Sequence, residues 1–199
     1  MTGSSAPPGP DAAWVVLETP LDPARLAAFC GDVERLYRIN PFLEFASWEQ
    51  TAPDLFRAEI LNHSNGRRAV VTGSVTRTSD RGLRVDYWEG VKKSTRFEIQ
   101  PAPSGSRLTI TDEYVPTGAG AQDPGVDLSL HAWGVALKAY LERDQRWGWL
   151  PLYRPAMKRV WLPMKPAARR ITFLILVIGL ADIIFVALGL AIYWIESVR

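Results

Sequence analysis

Few residues in this chain have the types and spacing that catalysis requires. Cys30 is the single cysteine and His63 and His131 are the only histidines. One cysteine excludes an intrachain disulfide and any multi-cysteine zinc or iron–sulfur site, and two histidines are too few for a histidine-rich metal site. No Ser/His/Asp arrangement, glycine-rich phosphate loop or HExxH pair is present, so neither a metal nor a cofactor is expected. His131, four residues after Asp127 and two before Trp133, is a conceivable general base. Asp127 better suits a helix cap, and His63, between Asn62 and Ser64, suits the end of a hairpin.

Asp182 poses a different question. It lies in ITFLILVIGLADIIFVALGLAIYWI, residues 171–195, and is the only charge there. A helix over this stretch reaches about 37 Å, against a bilayer hydrocarbon core of about 30 Å. A carboxylate at that depth is costly and usually faces protein or water. The favoured reading of Asp182 is a contact with another transmembrane helix; a tolerated protonated aspartate and proton handling are the alternatives.

The span must be positioned by its flanks. Residues 158–170 hold five basic and no acidic residues: Lys158, Arg159, Lys165, Arg169 and Arg170. Positive charge before the span places the preceding domain in the cytoplasm, so a single-pass protein of the cell (inner) membrane is expected. Trp147, Trp149 and Trp161 accompany these bases, a mixture suited to an anionic membrane surface. Pro151, Pro155, Pro163 and Pro166 prevent one long helix there. A linker packed on its own domain is the alternative. The start, MTGSSAPPGPDAA, lacks a basic region followed by an apolar run and reads as a disordered leader rather than a signal peptide.

The rest of the composition is ordinary. The 199 residues are 47% apolar and 22% charged, enough for one domain with a core. The net charge of +2 conceals 17 Lys/Arg against 19 Asp/Glu over residues 1–157. That balance gives no case for nucleic acid.

The spacing of apolar residues predicts an α+β domain. A strand over 13–19 leads to Asp22-Pro23, an N-cap followed by proline at the first helical position. A helix to Gly31 and a second from Asp32 follow, the second ending before Asn40-Pro41. Strand signals recur over 42–50, 55–63, 67–78, 83–89, 92–101 and 106–116, broken by Asn65-Gly66, Asp80-Arg81-Gly82 and Pro103-Ser104-Gly105. Six strands with short loops make an antiparallel meander. A long helix then carries Leu130, Trp133, Leu137 and Leu141 on one side, which must cover the sheet.

The opening WVVLETPLDPARLAAFCGDVERL, the RINPF segment (38–42) and RFEIQPAPSGSRLTITDEYV (96–115) before the long helix resemble the START/SRPBCC superfamily over about residues 12–150. Birch-pollen-allergen-like proteins and polyketide cyclases share that helix-grip fold. The resemblance implies a deep, mostly apolar cavity between sheet and helix, which relatives use for lipids, sterols, polyketides, quinones or hormones. It transfers no catalytic motif. Alternate strand positions and one side of the long helix would line the cavity: Phe45, Phe56, Ile60, Val71, Tyr87, Phe97, Ile110, Leu130, Trp133 and Leu137. Tyr87, Asp112, Tyr114 and His131 are the polar groups able to orient a ligand there. A helix-grip domain with a C-terminal anchor also resembles the carbon monoxide dehydrogenase G family, whose members tether an oxidoreductase to the membrane and are associated with quinone handling.

The expected organisation is a leader (1–11), a helix-grip domain (12–150), a basic aromatic segment (151–170), a transmembrane helix (171–195) and a short tail (196–199). Three functions fit it. The first is a membrane-anchored binder of a lipid or quinone. The second is an accessory or assembly subunit of a membrane protein complex. The third is an enzyme of cyclase or dehydratase type. The corresponding partners are membrane lipid, a hydrophobic small molecule and a membrane complex.

Overall fold

Two aspartate side chains start the first two helices. Asp22 accepts a hydrogen bond from the Arg25 N–H at 2.9 Å, and Pro23 opens α1 (Pro23–Cys30). Asp32 accepts from the Arg35 N–H at 3.3 Å and opens α2 (Val33–Arg38). Each carboxylate satisfies an amide that the first helical turn leaves unpaired. The computed structural model describes residues 11–115 and 124–197, with the side chains at 124–128 and 166 excepted; most of the expected leader and of the turn before the long helix lies outside them. The chain divides into two compact units between Pro163 and Met164.

The first unit is built on a seven-stranded antiparallel sheet. Its strands are β1 (Ala12–Thr19), β2 (Leu43–Ala52), β3 (Leu55–Asn62), β4 (Arg67–Ser79), β5 (Gly82–Tyr87), β6 (Lys92–Ala102) and β7 (Gly105–Tyr114). The spatial order is β1-β7-β6-β5-β4-β3-β2. The expected meander is therefore present, and β1 extends it by pairing with β7, with Val15 opposite Ile110. α1 and α2 carry the chain from one edge of the sheet to the other. Alternation along β1 predicts a strand, but gives no information about which distant strand it joins.

The helix α3 (Pro124–Trp147) covers the sheet. It begins at Pro124, so Asp127 lies within it and is not its cap. Proline suits a first turn because its missing N–H would have no helical partner there. Gly134 lets α3 approach β1: a Cβ at that position would sit 2.7 Å from the Val15 Cγ2. Leu130, Trp133, Leu137 and Leu141 are buried, as their spacing predicts.

Trp133 joins three layers. Its indole N–H donates to the Leu36 carbonyl of α2 at 3.0 Å. Its ring meets Phe97 of β6 edge-on, with centroids 5.8 Å apart, and Tyr37 of α2 at 5.1 Å. Large-to-small changes at such positions cost about 3–5 kcal/mol, and here the Leu36 carbonyl would also lose its donor. Trp133→Ala should lower the unfolding free energy of the full chain by about that amount, and Leu130→Ala by about 2–5 kcal/mol, in urea titrations in mild detergent.

Prolines divide the following segment as expected. A short α4 (Tyr153–Ala156) runs into a π-helical turn (Met157–Trp161). Part of the segment packs on its own domain: Leu162 is buried in the core cluster and Met157 lies against it. Lys158 pairs with Asp32 at 2.8 Å and Arg154 with Asp144 at 3.3 Å. The second unit is one long helix, α5 (Pro166–Ser197), about 48 Å at about 1.5 Å per residue. It is long and apolar enough to cross a membrane. The helix begins five residues before the apolar stretch 171–195, because Arg169 and Arg170 are good helix formers that carry it into the basic segment.

Candidate functional site

Strands β2 to β5 and helix α2, with Lys92 of β6 and Ser129 of α3, line an open cavity of about 250 Å³. Phe45, Trp48, Phe56, Ala58, Ile60 and Val71 make its apolar wall. Strand register puts these residues together: Phe45 lies opposite Ile60, and Ala58 opposite Val71. Trp48 and Phe56 stack in parallel, 4.4 Å apart and 8° from coplanar. Gly73, opposite Phe56 in the ladder, leaves room for that ring; a Cβ there would lie 2.7 Å from Phe56 Cζ. The stacked pair also lines a second, more polar cavity of about 360 Å³ that includes Asp32, Glu34, Asp54, Arg77 and Lys158. Trp48 and Phe56 are the two side chains common to both linings.

One corner of the apolar cavity is polar. Tyr37, Tyr87 and Lys92 reach it. The Tyr37 and Tyr87 hydroxyls are hydrogen-bonded to each other. Tyr87 is also 2.9 Å from Thr95 Oγ1, and Thr95 donates to Asp112 Oδ1 at 2.6 Å. Lys92 Nζ donates to Asp112 Oδ2 at 2.5 Å, and the Tyr114 hydroxyl to the same oxygen at 3.4 Å. Asp112 is 2% exposed and Thr95 fully buried.

The ladder explains this meeting. Thr95 of β6 lies directly opposite Asp112 of β7. Between Lys92 and Ser94 the register slips. An extra residue in one strand re-aims its neighbours, so Lys92 points to the face of Asp112 rather than joining Ser94 on the other. Ser94 instead donates to Glu113 at 2.8 Å.

Burial raises the pKa of both Tyr37 and Tyr87 well above the ordinary tyrosine value; for Tyr87 the neighbouring Tyr37 and Asp112 add to the effect. Both phenols are therefore held neutral in the fold, while an unfolded chain ionises them near pH 10. The stability they contribute is complete below about pH 10 and lost as pH rises further. Unfolding free energy should fall steeply above about pH 10, and the Tyr37→Phe/Tyr87→Phe double variant should flatten that slope in urea titrations across pH.

The candidates named from sequence separate into two groups. Phe45, Phe56, Ile60, Val71 and Tyr87 line the cavity. Phe97, Ile110, Leu130, Trp133 and Leu137 do not; they are buried core residues, and the Tyr37 and Trp133 rings pack against Phe97. Of the polar candidates, Tyr87, Asp112 and Tyr114 join one network. His131 does not: it is exposed on α3 and absent from the cavity lining. One helical step from Leu130 turns it off the buried side. Sequence reasoning missed Tyr37, Trp48 and Lys92. Tyr37 carries a readable signal in the apolar spacing of α2, whereas Lys92 depends on the register slip and leaves none.

The basic and aromatic residues before the span are mostly accessible. Trp147, Trp149, Lys158 and Arg159 are exposed and Trp161 is half-buried. In the second unit Lys165 and Arg170 are exposed, and Arg169 donates to the Met164 carbonyl at 2.9 Å. Asp182 is exposed on α5.

No family model and no curated protein matches the sequence. Solved structures do match the fold. A START superfamily protein from Mycobacterium smegmatis superposes with a TM-score of 0.55 at 16% identity, over 66% of this chain and 97% of that one. The di-domain ARO/CYC BexL of the BE-7585A biosynthetic pathway gives 0.52 at 16% identity, over 67% of this chain and 47% of that one. The di-domain ARO/CYC StfQ of the steffimycin pathway gives 0.51 at 10%, over 68% and 52%. The domain therefore has the START-like helix-grip fold: an antiparallel sheet with a long C-terminal helix across it. These likenesses do not show the resemblance to the carbon monoxide dehydrogenase G family.

Proposed function

We propose that this chain is a membrane-anchored binding protein for a hydrophobic small molecule, a lipid or a quinone, with its domain on the cytoplasmic face. The cavity carries the reading: an apolar wall with one polar corner is the usual form of a small-ligand site. Glu89, Gly90 and Val91 border it, and Trp88 beside them is 63% exposed. An accessible tryptophan at the edge of an apolar cavity suits a ligand drawn from a bilayer. The apolar α5 and the basic residues before it support attachment to that bilayer. Exposed Trp147 and Trp149 support contact with its surface.

Native mass spectrometry of the full-length chain, gently extracted from its own membrane, should show a reproducible apolar adduct. Val71→Trp, which fills the cavity, should remove it. A bare chain in every preparation, or an adduct indifferent to Val71→Trp, would overturn this reading.

Asp182 favours a second reading, an accessory subunit of a membrane protein complex. A carboxylate exposed along a helix of lipid-facing length is best accommodated by a polar partner within the membrane. Asp182→Leu should then release partners that co-purify with the unmodified chain in mild detergent; recovery of the unmodified chain alone counts against this reading. Enzymatic turnover of cyclase or dehydratase type is the third reading. The fold shared with the two ARO/CYC proteins is compatible with it, and the buried hydroxyls beside Asp112 are the groups it would use.

A further inference from the structure

We propose that the polar corner of the cavity selects a hydroxyl group, so that the preferred ligand is a neutral apolar alcohol or phenol rather than a carboxylate or an ether. The proposal rests on the ligand-binding reading above and narrows it to ligands that carry a hydroxyl, a lipid alcohol or a quinol rather than a quinone.

Proton accounting supports the choice. Asp112 is ionised against Lys92 and can only accept. Thr95 has one hydroxyl proton and gives it to Asp112. Thr95 must therefore accept from Tyr87, whose single proton is then committed. Tyr87 in turn must accept from Tyr37. Each hydroxyl along the chain thus points its proton toward the carboxylate. The far end of this chain of hydroxyls keeps oxygen lone pairs that its own protons do not use, and Tyr37 and Tyr87 both line the cavity.

Lys92 supplies the complementary half. Its ammonium carries three protons. One serves Asp112, and the nitrogen lies 5.9 Å from the centre of the Tyr87 ring at the cavity edge. The lining of the corner thus holds both acceptor oxygens and an ammonium donor. A hydroxyl uses both, since it donates and accepts. An ether or a quinone carbonyl only accepts, and leaves the tyrosine lone pairs unanswered. A carboxylate also only accepts. It meets a lysine whose charge Asp112 already balances, with Glu89 adding a like charge at the rim.

A matched series tests the proposal. The full chain is placed in nanodiscs of neutral lipid and titrated calorimetrically with 2-naphthol, 2-methoxynaphthalene and 2-naphthoate near pH 7, subtracting empty nanodiscs. At that pH the acid is ionised and the phenol is not. One net hydrogen bond corresponds to roughly tenfold in affinity. The naphthol should bind about tenfold tighter than the ether, and the naphthoate more weakly than the naphthol by at least as much. The Tyr37→Phe/Tyr87→Phe double variant should bring the naphthol and ether affinities to within about twofold of each other. Should that variant not fold, the unmodified chain decides alone. Ether equal to naphthol, or naphthoate tightest, overturns the hydroxyl proposal and leaves ligand binding standing. No binding by any of the three overturns both.

Discussion

A carboxylate buried in a β-sheet constrains everything around it. Removing such a group from water costs several kcal/mol unless a countercharge and hydrogen bonds replace the lost hydration. Around Asp112 the replacement comes from Lys92, Thr95 and Tyr114. Lys92 arrives only because β6 carries an irregularity beside it. Thr95 gives its one proton to Asp112 and so is left to accept from Tyr87, which draws in Tyr37. Tyr37 belongs to α2 and also touches Trp133, so one buried charge ties the sheet, the short helix and the long helix together. A network of this kind must be complete to be tolerated, which makes its geometry specific rather than adjustable.

The elements were largely legible from sequence, because each rests on a local signal. Asp22-Pro23 and Asp32 mark helix starts by the hydrogen bonds their carboxylates make. Apolar alternation marks strands by the two faces a sheet must have. Such signals lose force where structure depends on distant pairing. Nothing in AWVVLET shows that β1 lies beside β7, and nothing in KKSTRF shows that Lys92 departs from the parity of its strand. The expected lining divides between cavity and core for a related reason. Inward parity picks out Phe56 and Val71 as readily as Phe97 and Ile110. Whether an inward side chain meets a void or a neighbour depends on the volumes of Trp133 and Tyr37 across the layer.

The segment between domain and span shows a similar division. Composition alone reads residues 151–170 as one basic, aromatic stretch suited to a membrane surface. Structure gives Leu162 and Met157 to the domain core and ties Lys158 to the carboxylate that starts α2. Charge therefore has two uses here. Lys158 serves the fold while remaining accessible, and Arg170, exposed on α5, belongs to a helix with no such partner domain in its own unit.

The stacked Trp48 and Phe56 rings have a consequence for how this interior can diversify. They are the side chains shared by an apolar cavity and a polar one. A wall made of backbone can be moved only by rebuilding strands, whereas this one consists of two rings held by contact and by the space that Gly73 leaves. Shortening either ring would change the lining of both cavities at once, from a single side chain. The lining of the interior is thus a side-chain property, open to change one residue at a time.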